Sequence, residues 1–158
     1  MSMYSVNSSI PKTLVRYIIE WVASESADEK CKNIIYDILN TPISPELLPT
    51  DEEGNIKQKT EEQVGPYKLH DFFLYHFLRY GAEPKKIYFL ACNTFKEEFS
   101  KEEIKYWLLT FIKRFFTQQF KRNPMPDGPK VGSISLSPRG DLRMPSDASY
   151  NLWIQNID

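Results

Sequence analysis

Several kinds of functional site need residues that this 158-residue chain has in short supply. Cys31 and Cys92 are its only cysteines. Two thiols cannot make a disulfide scaffold, and they suit a reducing compartment. Both fall in helical patterns without a neighbouring base, so they read as small buried hydrophobes. His70 and His76 are the only histidines. Six residues apart, they point to different faces of one helix, and no third ligand at metal spacing joins them. His76 reads as part of an aromatic face and His70 as a surface or cap residue, with no metal site expected. The six glycines are scattered, with no Gly-Gly pair, no GxGxxG and no GxxxxGK. The loop that usually presents backbone N–H groups to a triphosphate is therefore missing, and complete ATP chemistry would need residues outside these 158. No apolar run reaches the roughly 18 residues of a membrane span, and the N-terminus carries no signal pattern. Charge of one sign is lacking too. Twenty Lys and Arg face twenty-one Asp and Glu, a net charge of -1, which excludes nucleic-acid binding by bulk charge.

What is present is ordinary globular material, 41% hydrophobic and 26% charged, with eleven prolines and 14% aromatics. Apolar spacing predicts a run of helices. Leu14, Tyr17, Ile18, Trp21 and Val22 share one face, with Pro11 at the helix start. Cys31, Ile34, Ile35, Ile38 and Leu39 share another, with Ser26 and Glu29 as a capping box. Leu69, Phe72, Phe73, His76, Phe77 and Tyr80 form an aromatic stripe stopped by Gly81. Pro84 opens a shorter helix through Ile87, Leu90 and Ala91. Ser100 and Glu103 form a second capping box, with Phe99 stapled onto Ile104. The stripe Ile104, Trp107, Leu108, Phe111, Ile112, Phe115 and Phe116 follows. Ser133–Leu136 reads as a short strand, and Ser146 as the cap of a last helix through Leu152, Trp153 and Ile157. The fold class is mainly α, with irregular segments at 41–66 and 121–145.

Function is expected on those irregular segments, held by the helical scaffold. Glu61-Glu62 and Glu102-Glu103 each lie beside a helix start, where the helix dipole accounts for them. The sharper signal is local charge. From Lys105 to Arg143 there are eight basic residues, opposed only by Asp127 and Asp141. Residues 121–145 also hold five of the eleven prolines and three of the six glycines. Prolines stiffen such a segment, glycines let backbone approach a ligand, and arginines hold two oxygens at once. That pattern suits an anion, a phosphate or a carboxylate, without saying which. It leaves open a stand-alone helical module for a nucleotide or RNA. The few aromatics among the basic residues argue against stacking on a single strand.

Four stretches, in order, are more specific: VNSSIPKTLVRYIIEWV, ILNTPISPELLP, QVGPYKLHDFFLYHFLRYG and FKRNPMPDGPKVGSISLSPRGDLRMPSD. From about Tyr4 to Trp153 the chain resembles the C-terminal part of glutamine-dependent NAD(+) synthetases of the long bacterial form. The resemblance implies a helical C-terminal part of an α/β, adenine nucleotide alpha-hydrolase-like domain. It implies an enzyme in which a glutaminase domain releases ammonia, and a Mg-ATP-dependent synthetase domain adenylates deamido-NAD and lets ammonia displace AMP. On that reading residues 1–158 are a segment of the synthetase domain, without the glutaminase domain or the pyrophosphate loop. The segment would be inactive alone, with no catalytic residue of its own and no ATP or Mg bound to it. Its partners would be the upstream domains, deamido-NAD and ATP in the intact enzyme, and further copies of itself, with no nucleic acid and no membrane. The setting would be cytoplasmic.

Few residues carry over from the resemblance. Lys121, in Phe-Lys-Arg, matches a lysine that contacts deamido-NAD. Ser44, in Pro-Ile-Ser-Pro-Glu-Leu, matches the hydroxyl position of a mobile loop over the ATP phosphates. Arg139, Asp141 and Arg143 match a motif at the active-site wall near the ammonia tunnel exit, with an internal Arg–Asp pairing as the alternative. Leu142 stands where that family commonly has tryptophan, and Ser8 stands where a short-form lysine would be. A helical segment lacking its sheet should expose apolar surface and self-associate. The 41–66 loop is expected to be poorly ordered without ATP.

Overall fold

The computed structural model describes residues 4–25, 28–41, 64–155 and 157. Among them the secondary structure is helical: α1 (Lys12–Glu25), α2 (Glu29–Asn40), α3 (Tyr67–Tyr80), α4 (Pro84–Thr94), α5 (Lys101–Thr117), α6 (Gln119–Arg122) and α7 (Asn151–Gln155). The chain divides into two units. One holds residues 1–10 and 68–158, and the other holds residues 11–67.

In the larger unit, α5 is the central element, packed against α4, α6 and α7. Its start follows from sequence. Ser100 accepts the Glu103 N–H at 3.2 Å, and the Glu103 carboxylate accepts the Ser100 N–H at 2.8 Å, closing the expected capping box. Phe99 packs on the core that contains Ile104. Ile104, Leu108, Phe111, Ile112, Phe115 and Phe116 are all buried, as the stripe requires. Aromatic edges lock α3 onto this face. The centroids of Phe73 and Phe111 lie 5.7 Å apart, those of Phe77 and Phe115 5.1 Å, and those of Phe77 and Trp153 5.0 Å. His70 joins the same contact, edge-on to Phe111 at 5.7 Å. It is therefore half-buried against the core rather than a surface residue. Helix α3 ends at Gly81, whose φ of +57° is left-handed; its N–H bonds the Phe77 carbonyl at 3.0 Å.

In the smaller unit, α1 and α2 pack on each other, yet Ala23 is the only buried residue of these two helices. The expected apolar face of α1 exists but faces outward: Trp21 is 64% exposed, and Leu14, Tyr17, Ile18 and Val22 are exposed with it. Ile38 of α2 is 63% exposed. Periodicity predicts an apolar face correctly, but it does not say what covers that face. Cys31 is exposed and Cys92 half-buried, so neither is the fully buried thiol expected. The cap of α2 is Asp28, whose carboxylate accepts the Lys30 N–H at 3.0 Å. Ser26 and the segment 42–63, Ser44 included, lie outside the described residues.

Two further expectations change at the C-terminal end. Ser133–Leu136 forms no strand, because no second segment pairs with it along its length. The only β-type pairing among the described residues is an isolated bridge between Tyr4 and Asp127. Ser135 turns inward instead: its hydroxyl oxygen accepts the Ser137 N–H at 3.2 Å and lies 3.2 Å from Ser9 Oγ. Ser149, not Ser146, accepts the N–H at the start of α7. The Ser146 hydroxyl is taken by the Asn123 side chain.

Candidate functional site

The basic Pro/Gly segment is held to the helices from behind by one buried glutamine. Gln119 is fully buried. Its Nε2 donates to Asn123 Oδ1 at 3.0 Å and to the Met144 carbonyl at 3.1 Å. Its Oε1 accepts from Arg122 Nε at 2.9 Å. Both donors and the acceptor are satisfied, as burial of an amide demands. Arg122 stacks on Phe115 with its guanidinium carbon 4.1 Å from the ring centroid and donates to the Phe115 carbonyl. Burial lowers its pKa from the ordinary guanidinium value. Arg122 is thus a structural cation that ties α6 back to α5.

The front of the segment closes on itself. The Arg139 guanidinium donates to the Asp127 carboxylate and to the Met125 carbonyl. Lys130 pairs with Asp141 at 2.7 Å. These two ion pairs use both carboxylates of the basic stretch. Arg139 and Asp141 therefore take the internal-pairing role that the sequence left as an alternative, though not with each other. Arg143 has no ion pair among the described residues; its Nη2 lies 3.5 Å from the Arg139 carbonyl. Leu142, beside it, is buried in the core.

The N-terminal residues 4–9 dock on the same segment. The Ser5 N–H donates to the Asp127 carbonyl at 2.7 Å, and the Ser9 hydroxyl to the Pro129 carbonyl at 2.9 Å. Gly128 sits under this contact, where a Cβ would overlap the Ser5 carbonyl oxygen and lie 2.7 Å from Ser8 Oγ. Its close approach is to the chain's own N-terminal segment. Gly132 has open space where a side chain would go, so close approach does not account for it.

Three cavities mark the surface of the segment. The largest, about 540 Å³, is lined by Asn123, Pro138, Arg139, Arg143 and Met144. A second, about 380 Å³, lies between Tyr4 and the Asp127–Asp141 stretch. A third, about 140 Å³, reaches Leu78 and Arg79 beside Lys130. Arg139 and Arg143 thus share one cavity, while Asp141 lines the other two. Lys121, on α6, is exposed, with its ammonium 5.9 Å from the Phe120 ring centroid. Sequence reasoning missed Gln119, although a signal was present. Gln119 lies four residues after Phe115 and three after Phe116, so a polar side chain falls on the apolar stripe.

Among the described residues no three His, Cys, Asp or Glu side chains gather where they could hold a metal ion, and no helix is long and apolar enough to cross a membrane. No family model matches the chain. Curated relatives do. The chain is 41% identical over 177 aligned positions to a glutamine-dependent NAD(+) synthetase of Mycobacterium leprae (strain TN). It is 42% identical to the enzyme of the same name from Mycobacterium tuberculosis (strain ATCC 25618 / H37Rv). Each match covers the whole chain and 26% of the relative, so the chain spans about a quarter of the length of these proteins. Among solved structures, a glutamine-dependent NAD(+) synthetase from Cytophaga hutchinsonii superposes with a TM-score of 0.67 over 98% of this chain and 22% of its own, at 16% identity. That likeness is one of fold. With the end-to-end identity beside it, the chain is similar over its whole length to a C-terminal part of glutamine-dependent NAD(+) synthetases.

Proposed function

We propose that this chain serves the amidation of deamido-NAD to NAD as a C-terminal segment of the synthetase domain, supplying substrate-binding cations rather than catalytic groups. The observation that carries the reading is the 41–42% identity running through the whole chain, basic segment included. In the intact enzyme the cofactors are ATP and Mg, the ammonia comes from glutamine, and the helices complete an α/β domain whose sheet lies in the upstream part. Ammonia must reach an activated carboxylate without meeting water, which is the reason for a shielded path. The described residues do not form a triphosphate cradle. Gly128 is pressed against Ser5, and the basic segment presents side-chain cations rather than a row of free N–H groups.

Within this reading Lys121 contacts deamido-NAD. It is exposed and has no ion pair among the described residues, so its ammonium is available to a phosphate or carboxylate. Ser44 belongs to the ATP-facing loop. Arg139 and Asp141 stiffen the wall through Asp127 and Lys130, and Arg143 faces the ligand. Further copies of the chain pair with it in the assembled enzyme, and its two free thiols suit the reducing cytoplasm.

The reading is tested with deamido-NAD, Mg-ATP and ammonia supplied to the 158-residue chain, with NAD measured and deamido-NAD binding followed by calorimetry. The expected result is no NAD, and binding that weakens about tenfold in Lys121→Ala. Robust turnover by the chain alone, or binding indifferent to Lys121→Ala, would overturn it.

A further inference from the structure

The 540 Å³ cavity is lined by two guanidinium-bearing residues and by no carboxylate. Its other walls are Asn123, Pro138 and Met144. Arg139 already spends its Nε and Nη2 hydrogens on Asp127 and Met125. Among the described residues Arg143 meets only the Arg139 carbonyl, at 3.5 Å, which leaves most of its five donors without an acceptor there. A guanidinium with free donors beside a second, half-used one is a site short of negative charge.

The backbone around Arg143 is fixed on both sides. Leu142, just before it, is buried in the core. Met144, just after it, has its carbonyl held by the fully buried Gln119, which also holds the Asn123 side chain. The Asn123 amide in turn donates to Ser146. Two cavity walls, Asn123 and Met144, thus hang from one buried side chain. That arrangement fixes the backbone that carries Arg143 in advance of any ligand, which lowers the ordering cost of binding.

We propose that this cavity is an oxyanion subsite in which Arg143 binds two oxygens of one phosphate or carboxylate group, and in which Gln119 is the positioning residue that sets the wall from behind. Arg139 contributes its remaining Nη1 donors and holds the 125–140 loop shut. Lys121 has no part in this subsite; it is not among the lining residues. The inference deepens the synthetase reading, because deamido-NAD offers both chemistries: a pyrophosphate bridge and a nicotinate carboxylate. It stands apart from that reading in one respect, since a small oxyanion alone tests it.

The full 158-residue chain is titrated with inorganic pyrophosphate in one arm and nicotinate in the other, following the arginine Nε–Hε signals by NMR. The expected result is saturable, salt-sensitive binding that moves the Arg143 signal, in the pyrophosphate arm if the subsite takes the phosphate bridge and in the nicotinate arm if it takes the carboxylate. Arg143→Ala should weaken binding at least tenfold, and Arg143→Lys should restore only part of it, because a point charge cannot make the paired contact. Gln119→Met, volume-matched and checked for folding by circular dichroism, should weaken binding while leaving the Arg143 charge in place. Equal affinity in native chain, Arg143→Ala and Gln119→Met would overturn the proposal, as would the absence of saturable binding in both arms. The family reading would survive either result, because it is judged by deamido-NAD binding to Lys121 and by NAD formation.

Discussion

Gly128 and Ser5 meet backbone to backbone: the residue before Gly128 accepts the Ser5 N–H, and the Ser5 carbonyl fills the space where a Cβ on Gly128 would stand. The contact ties the start of the chain to a loop more than a hundred residues later. It predicts that Gly128→Ala destabilises the larger unit by about 1–3 kcal/mol, the range of an overpacked contact that backbone cannot yield cheaply. Gly132→Ala, with open space at its Cβ, serves as the neutral partner. Equal denaturation midpoints for the two variants would refute the contact.

Ser100 opens the helix around which the core is built. Ser100→Ala removes the acceptor of the Glu103 N–H and should cost about 1 kcal/mol in denaturant unfolding. The same box has an acid signature. The Ser100 N–H and then its hydroxyl hold the Glu103 carboxyl below its ordinary 4.5. That stabilisation is full above the ordinary value and is lost as pH falls through the native one. Ser100→Ala keeps the backbone N–H and removes the hydroxyl, so it should lessen this acid dependence in part as well as lower the midpoint.

His76 gives a second, separate pH dependence. It stacks on Tyr80 at 5.7 Å, with Phe72 tilted against it at 4.4 Å and Tyr75 edge-on at 5.6 Å. Burial, and then the charge of Lys86, holds its pKa below the ordinary 6.5. A native pKa below the unfolded one means that the unfolded chain binds the proton first. Stability is therefore full above pH 6.5 and declines as pH falls through the native value. In His76→Phe the decline in that window should vanish while the acid limb from Glu103 remains, measured as thermal midpoint against pH.

The outward face of α1 predicts association. Trp21, Ile18 and Tyr17 are exposed together, a patch of the kind that soluble monomers rarely leave bare. Light scattering of the full chain should report a mass that grows with concentration. Trp21→Glu with Ile18→Glu should return it to monomer with helicity unchanged. A monodisperse native monomer at high concentration would contradict the expectation.

Legibility in the sequence followed the range of the physics involved. The Ser100–Glu103 box, the Gly81 stop and the α5 stripe are local, and each stands where the residue pattern puts it. Ser146 and Ser26 had the right chemistry for caps, but Ser149 and Asp28 do the capping, because neighbouring candidates within three residues differ only by tertiary context. Cys31 was expected inside and lies outside, since periodicity marks a face, as on α1, without saying what covers it. The candidate site was legible as a charge excess on a stiff segment. Its division of labour was not. Which cations are spent depends on contacts such as Arg139–Asp127 and Lys130–Asp141, across twelve and eleven residues of irregular backbone. The Gln119 anchor is reached only through a carbonyl 25 positions away.

The most direct measurement exchanges this chain for the matching 26% of the Mycobacterium tuberculosis relative and follows NAD formed from deamido-NAD, ATP and glutamine. The chimera is expected to make NAD, and Lys121→Ala within it to raise the KM for deamido-NAD while glutamine hydrolysis persists. A folded chimera that hydrolyses glutamine but forms no NAD, or one whose KM ignores Lys121→Ala, would contradict it.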